Sequence, residues 1–290
     1  MRRVAVLAGD GIGPEVIAVA RRELPADVET VSIDAGAERY LATGELLTAE
    51  DLETIGGSDA LLFGAIGDPR VPDGVLERGI LLELRKVFDL YVNLRPFPEL
   101  DLVFVRENTE GAYAGVGRRI DDSAFETSVN TRSAIERCSN YAFDLAERRS
   151  GRLTWVHKTN VLVHSGELWR EVVADVAGRH PNVKVAYEHA DAAAYHLVKD
   201  PDRFDVVLTD NLFGDVLSDL AAGLGKGLGH AASANLHPDP KTRPTRCIGL
   251  FEPVHGSAPD IAGTGTADPS AAVGAVHLLL DALEKEPVTS

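Results

Sequence analysis

The sequence predicts an α/β protein with a mostly parallel sheet covered on both faces by helices. Three observations lead there. Short apolar runs such as RVAVLA at 3–8 and DALLFGA at 59–65 carry no polar alternation, as expected of strands buried on both faces. Longer segments with helical spacing separate them. Sharp turns rich in Gly and Pro stand between the two kinds of segment.

Taken in order, 3–8 is a β-branched strand, and Gly9-Asp10-Gly11-Ile12-Gly13-Pro14 is a tight turn with Pro14 in the first turn of a helix. Helical spacing runs from Val16 to Leu24, followed by strands at 28–33 and 59–65. One helix is expected over 74–88, then strands at 90–94 and 102–105 and a long helix over 132–149. Strand and helix then alternate at 153–157, 166–177, 183–187, 190–198, 206–208 and 211–220, and a helix at 269–283 comes last. Gly and Pro cluster at 223–240 and 253–269, which are expected to be functional loops. No internal repeat or low-complexity linker is visible.

The 290 residues suit one large domain or two modest ones, and 44% apolar with 26% charged residues is an ordinary globular balance. A formal charge of −16 repels nucleic acid and anionic lipid, so neither is an expected partner. An anionic substrate would need locally concentrated cations. Two cysteines, Cys138 and Cys247, form neither a disulfide framework nor a zinc cluster, and a reducing cytoplasm is the expected compartment. No apolar stretch is long enough for a signal-peptide core or a membrane span.

The turn GDGIGP superficially matches the dinucleotide fingerprint G-x-G-x-x-G but has Pro14 at its last position, where a phosphate would need an N–H. By itself it is a tight turn, and a standard Rossmann domain is not supported. Arg85, Arg95 and Arg106 stand near element ends, and guanidinium forks bind carboxylates bidentately. Each alone fits a surface salt bridge better; three at such ends point to a dicarboxylate. Asp215 and Asp219 lie four apart on one helical face, a repulsive pair that a hard divalent cation would neutralise. Asp191 and Asp210 read first as helix caps. Lys158 follows an apolar strand, where burial would suit a general base, although an exposed Lys is the commoner case. Tyr113 is flanked by small residues that permit a ligand to approach. His189 and His196 lack a zinc-like pattern with Asp191, and neither HExxH, GxSxG nor a Walker sequence occurs.

Together GDGIGPE (9–15), LELRK (82–86), NLRP (93–96), VRENTEGAY (105–113), HKTN (157–160), DNLFGDVLSD (210–219) and EPVHGSAPDIAG (252–263) resemble the isocitrate/isopropylmalate dehydrogenase family, in the family's order and over nearly the whole chain. The resemblance implies two α/β domains with a central mostly parallel sheet. One is a discontinuous cofactor-binding domain over 1–97 and 226–290. The other, over 98–225, serves dimerisation, metal and substrate. It implies NAD- and Mg²⁺- or Mn²⁺-dependent oxidative decarboxylation of a 2-hydroxy acid with a β-carboxylate.

By the same resemblance, Tyr113 and Lys158 form the acid–base pair, and Arg85, Arg95, Arg106 and Asn160 bind substrate beside an apolar pocket from Leu81 and Leu82. Asp191, Asp215 and Asp219 hold the metal. Ile12, His255, Gly256, Ser257, Ala258, Asp260 and Asp268 line the cofactor, with Asp260 favouring NAD over NADP. A cytoplasmic homodimer with shared sites is implied, Lys158 and Asp191 reaching into the partner's site.

The stretch GDPRVPDGVLERGILLELR is similar to actinobacterial members acting on 3-isopropylmalate in leucine biosynthesis. Isocitrate, homoisocitrate, D-malate or a phosphonate analogue are the alternative substrates, and a non-catalytic regulatory paralogue is the alternative class. Two departures from the family pattern stand out: a very short segment between Pro96 and Asp101, and an end soon after Leu283 without the usual C-terminal helix.

Overall fold

A computed structural model describes residues 1–285. The chain divides into two compact units, one formed by Met1–Leu90 with the chain from Lys226 onward, the other by Tyr91–Gly225.

In the first unit, β1 (Arg3–Gly9), β2 (Glu29–Ser32) and β3 (Ala60–Ala65) are parallel and lie in the order β2-β1-β3. The late strand β12 (Gly249–Pro253) joins β3 in parallel, and β11 (Ala232–Leu236) pairs antiparallel with β12. Every residue of β3 is buried, as its unbroken apolar sequence requires. α1 (Gly13–Ala20) carries Pro14 in its first turn, and α9 (Ser270–Lys285) packs against it. On the other side Leu7, Phe63, Ile80, Leu84 and Phe88 share one core. α2 (Ala37–Thr43) and α3 (Ala49–Gly56) were not evident in the sequence, being short, with only Ala37 buried in α2 and only Asp51 and Ile55 in α3. Thr48 and Asp51 close α3 with a reciprocal capping box.

The expected helix over 74–88 is present over 75–87, and Glu77–Leu81 form a π-helical turn inside it before α4 (Leu82–Val87). Gly74, at φ +74, stands just before it in a conformation that helices exclude. The expected loop at 223–240 is corrected, because Ala232–Leu236 is a fully buried strand.

The second unit holds β4 (Val92–Phe97), β5 (Leu102–Glu107), β8 (Arg152–His157), β9 (Lys184–His189) and β10 (Val206–Thr209) in the order β4-β5-β10-β8-β9. All pair in parallel except β4 with β5, which run antiparallel from Val92↔Glu107 to Phe97↔Leu102. That hairpin accounts for the short 96–101 segment: one 3₁₀ turn closes it, with Asp101 left-handed at φ 45. It also places residues 92–97 in the second unit, whereas the sequence-based boundary left them in the first.

Four helices, α5 (Arg132–Glu147), α6 (Val163–Ala177), α7 (Ala190–Lys199) and α8 (Asn211–Leu224), complete this unit. β6 (Gly111–Ile120) and β7 (Ser123–Val129) form a separate, largely exposed hairpin that the sequence did not announce, because nothing in it alternates toward a core. Among the described residues, no helix is long and apolar enough to cross a membrane. Both cysteines are buried and free, and burial pushes the Cys247 thiol up to about 12.

Candidate active site

In the first unit the glycine turn and the 255–260 loop are built onto one another. The carboxylate of Asp10, buried, accepts from the N–H groups of Ala37 at 2.7 Å and Gly67 at 3.0 Å. Gly11 stands at φ +58, and a Cβ there would lie 2.0 Å from the carbonyl oxygen of Ser257. Ile12 donates its N–H to that same oxygen at 2.8 Å, and Gly13 donates to Asp10 O at 2.9 Å. These donors are spent on the protein itself, so the turn is not a cradle for phosphate, as Pro14 already indicated.

Ser257 is buried, Ala258 is left-handed at φ 38, and Asp260 is exposed. Nδ1 of His255 lies 3.0 Å from Gly256 O, while its buried Nε2 has no protein partner. A cavity of about 340 Å³ adjoins this loop, lined by Gly67, Asp68, Val71, Leu76, Ser257 and Pro259. Asp268 accepts from Ser270 N at 2.9 Å at the start of α9, and hydrogen bonding from the Ser270 side chain and backbone holds its carboxyl below the usual range. An exposed carboxylate, a buried imidazole nitrogen without a protein partner and an adjoining cavity fit a hydroxyl-rich cofactor.

Arg85, Leu81 and Leu82 are also in this unit. Arg85 is buried on α4, and its Nη2 lies 3.4 Å from Glu252 Oε1. Leu81 and Leu82 are half-buried, and part of Leu81 packs against the core.

The second unit gathers Arg95, Arg106, Tyr113, Asp215 and Asp219. Arg106, fully buried at the end of β5, places Nη1 2.5 Å from Asp215 Oδ1 and donates Nε and Nη2 to Asn211 Oδ1 at 3.0 and 2.6 Å. Arg95, on β4, reaches Asp219 Oδ1 at 2.8 Å, Asp215 Oδ1 at 3.2 Å and Ser218 Oγ at 2.8 Å. The Tyr113 hydroxyl donates to Asp215 Oδ2 at 2.7 Å, and the Arg106 guanidinium lies 5.0 Å from the Tyr113 ring centroid. Gly214 permits this packing, since a Cβ there would lie 2.6 Å from Arg106 Cγ.

Burial raises the Asp219 carboxyl above the usual range, against the lowering effect of Arg95. The repulsion between Asp215 and Asp219 is thus met by two arginines, a solution invisible in the helix sequence alone. Their carboxylate oxygens remain hard donors on one face of α8, a set that fits Mg²⁺ or Mn²⁺.

Lys158 and Asp191 form a separate pair. Nζ of Lys158 lies 2.5 Å from Asp191 Oδ1, and this hydrogen bond holds the Asp191 carboxyl below the usual range. The expectation that Asp191 caps a helix is corrected: His189 occupies the cap position, and Asp191 sits in the first turn of α7. Asp210 does cap α8, accepting from Phe213 N at 2.9 Å, and burial pushes its carboxyl up to about 6. Asn160 follows Lys158 on exposed chain. Asp191 does not join Asp215 and Asp219 within one chain. Among the described residues, the only group of three or more acidic, His or Cys side chains close enough to share an ion is Asp144, Glu147 and His180.

Sequence reasoning missed Asn211, which clamps Arg106, and Glu252, which faces Arg85. Both lie inside the quoted motifs, yet an amide at a helix start and an acid at a strand end carry no signal until their arginines are placed.

This fold and these clusters define a family of metal-dependent decarboxylating dehydrogenases. Residues 3–288 match the isocitrate/isopropylmalate dehydrogenase family, and the chain belongs to it. It is 52% identical to a 3-isopropylmalate dehydrogenase of Corynebacterium efficiens over 98% of this chain and 88% of that one. It is 53% identical to a 3-isopropylmalate dehydrogenase of Beutenbergia cavernae over 97% and 87%. Among solved structures, isocitrate dehydrogenase from Methylococcus capsulatus superposes with a TM-score of 0.86 at 36% identity, over 98% of this chain and 86% of the other.

Proposed function

We propose that this protein oxidises 3-isopropylmalate with NAD⁺ and decarboxylates the product to 2-oxoisocaproate. The observation that carries the reading is the cluster of Arg95, Arg106, Tyr113, Asp215 and Asp219, where cations for a carboxylate, hard oxygens for a metal and a phenolic proton meet. The 52% identity to a 3-isopropylmalate dehydrogenase favours this substrate over isocitrate, homoisocitrate, D-malate or a phosphonate analogue. Retention of Lys158, Tyr113 and all three aspartates argues against a non-catalytic paralogue.

Arg85, Arg95, Arg106 and Asn160 are the proposed substrate ligands, the guanidinium forks suiting its carboxylates. Leu81 and Leu82 receive the isopropyl group, where one methyl discriminates by only about 1–3 kcal/mol. Lys158 takes the proton from the C2 hydroxyl. Asp191, Asp215 and Asp219 would hold a divalent cation, which would supply Lewis-acid polarisation, and NAD⁺ would supply the hydride acceptor. Tyr113, its hydroxyl oriented by Asp215, returns a proton to the carbon that loses CO₂. In the first unit, Ile12, the loop His255, Gly256, Ser257, Ala258 and Asp260, and Asp268 receive the cofactor. A carboxylate at Asp260 would accept from ribose hydroxyls and repel a 2′-phosphate.

A homodimer completes the site. Lys158 and Asp191 stand apart from Asp215 and Asp219 within one chain, so a second subunit would supply them. Val161, Val163, Leu212 and Val216 are exposed, at 65%, 48%, 43% and 61%, an apolar content suited to burial against another copy.

The test is a panel of 2-hydroxy acids with NAD⁺ or NADP⁺ and Mn²⁺, followed by absorbance of the reduced cofactor. The highest kcat/KM is expected for 3-isopropylmalate with NAD⁺, and Lys158→Ala lowers it by about 10²–10⁴. A preference for another acid refutes the substrate, and no turnover on any acid refutes the enzyme.

A further inference from the structure

We propose that Glu252 is a positioning residue: it fixes the direction of the Arg85 guanidinium and so sets the grip on a substrate carboxylate. This rests on the reading of Arg85 as a substrate ligand. The side chains of Arg85 and Glu252 are only 7% and 9% exposed. Asn235, on the neighbouring strand β11, donates Nδ2 to Glu252 Oε1 at 2.8 Å and to Leu250 O at 3.3 Å. The carboxylate is thereby referenced to the sheet, where Ser233 pairs with Glu252 and Asn235 with Leu250.

Arg85 stands on α4, just beyond the π-helical turn over Glu77–Leu81. A helix fixes where a long side chain starts but leaves its rotamers to the groups it meets. Glu252 holds one corner of the fork, through Nη2. A guanidinium has further N–H donors along its other edges for a second carboxylate. The 3.4 Å separation is long for a charge-assisted hydrogen bond, so Glu252 orients Arg85 without consuming its full bonding capacity.

Stability alone is a poor account of the pair, because the desolvation cost of two buried charges offsets most of their attraction. Glu252 also immediately precedes Pro253 and the loop proposed to receive the cofactor, so one strand end orients the substrate arginine and launches that loop.

The experiment compares Glu252→Gln, Glu252→Asp, Arg85→Gln and the Glu252→Gln/Arg85→Gln double variant. The readouts are kcat, KM for 3-isopropylmalate, KM for NAD⁺ and Tm. Glu252→Gln should raise the hydroxy-acid KM about tenfold while kcat and the NAD⁺ KM change by less than about threefold. The double variant should be no worse than Arg85→Gln alone. Glu252→Asp, which keeps the charge but withdraws it, should raise KM by less, and it supplies the measurement if Glu252→Gln does not fold. A lowered Tm with unchanged KM, an equal rise in both KM values, or additive effects in the double variant overturns the proposal. An unchanged KM in Arg85→Gln overturns the reading of Arg85 itself, and the proposal with it.

Discussion

Two arginines assigned to the substrate already occupy the aspartates assigned to the metal, and this predicts that the two ligands bind cooperatively. Arg95 and Arg106 make three contacts with Asp215 and Asp219, at 3.2, 2.8 and 2.5 Å. A cation arriving alone must displace guanidinium N–H groups from the oxygens it needs. A dicarboxylate that takes the arginines releases those oxygens. The arginines are buried, but the aspartate side chains are 33% and 48% exposed, so each contact is discounted toward the surface range, about 0.5–1 kcal/mol. The coupling is then about 1.5–3 kcal/mol, a roughly 10- to 150-fold tightening of Mn²⁺ by saturating 3-isopropylmalate. Titration calorimetry of Mn²⁺ into the protein with and without the hydroxy acid measures it directly. Reciprocity requires Mn²⁺ to tighten the hydroxy acid by the same factor. Asp215→Asn should weaken Mn²⁺ binding and most of this coupling. Equal Mn²⁺ affinity with and without the acid would refute the competition.

Gly11→Ala should uncouple the glycine turn from the 255–260 loop. The left-handed φ of +58, the 2.0 Å approach to Ser257 O and the Ile12–Ser257 hydrogen bond together make the loss about 2–3 kcal/mol. A lowered Tm with a raised NAD⁺ KM is expected, and no change in either would contradict the packing.

Asp210 sets a pH dependence of stability. Its folded carboxyl is raised from 3.8 to about 6, so the stability it contributes is fully present below about pH 4 and lost as pH rises through 6. Asp210→Asn keeps a capping oxygen and removes that loss. Relative to the parent it should gain up to about 3 kcal/mol between pH 4 and 7 in urea unfolding. Parallel pH profiles would exclude it. Buried His157, 3.8 Å away and lowered by burial from 6.5 to about 4, contributes stability that is fully present above about pH 6.5 and lost as pH falls from there through 4, and it is present in both proteins.

Local sequence carried much of the architecture. Unbroken apolar runs such as 60–65 and 206–208 are solved as strands covered on both faces, and the i, i+4 spacing of Asp215 and Asp219 puts both on one face of α8 wherever that helix packs. The failed fingerprint at Pro14 followed from one missing N–H.

Pairing and partnership were decided by tertiary structure. Whether 92–97 belongs with the strands before or after it depends on a hairpin to β5, and a strand's partner is not written in its own composition. The π-helical turn at 77–81 lies inside a helix whose apolar spacing fits regular α-helix equally well. Above all, the arginines and aspartates were legible as separate signals, while their contact was not. Arg106 meets Asp215 across 109 residues of chain, and only the packing of α8 on β5 closes that distance.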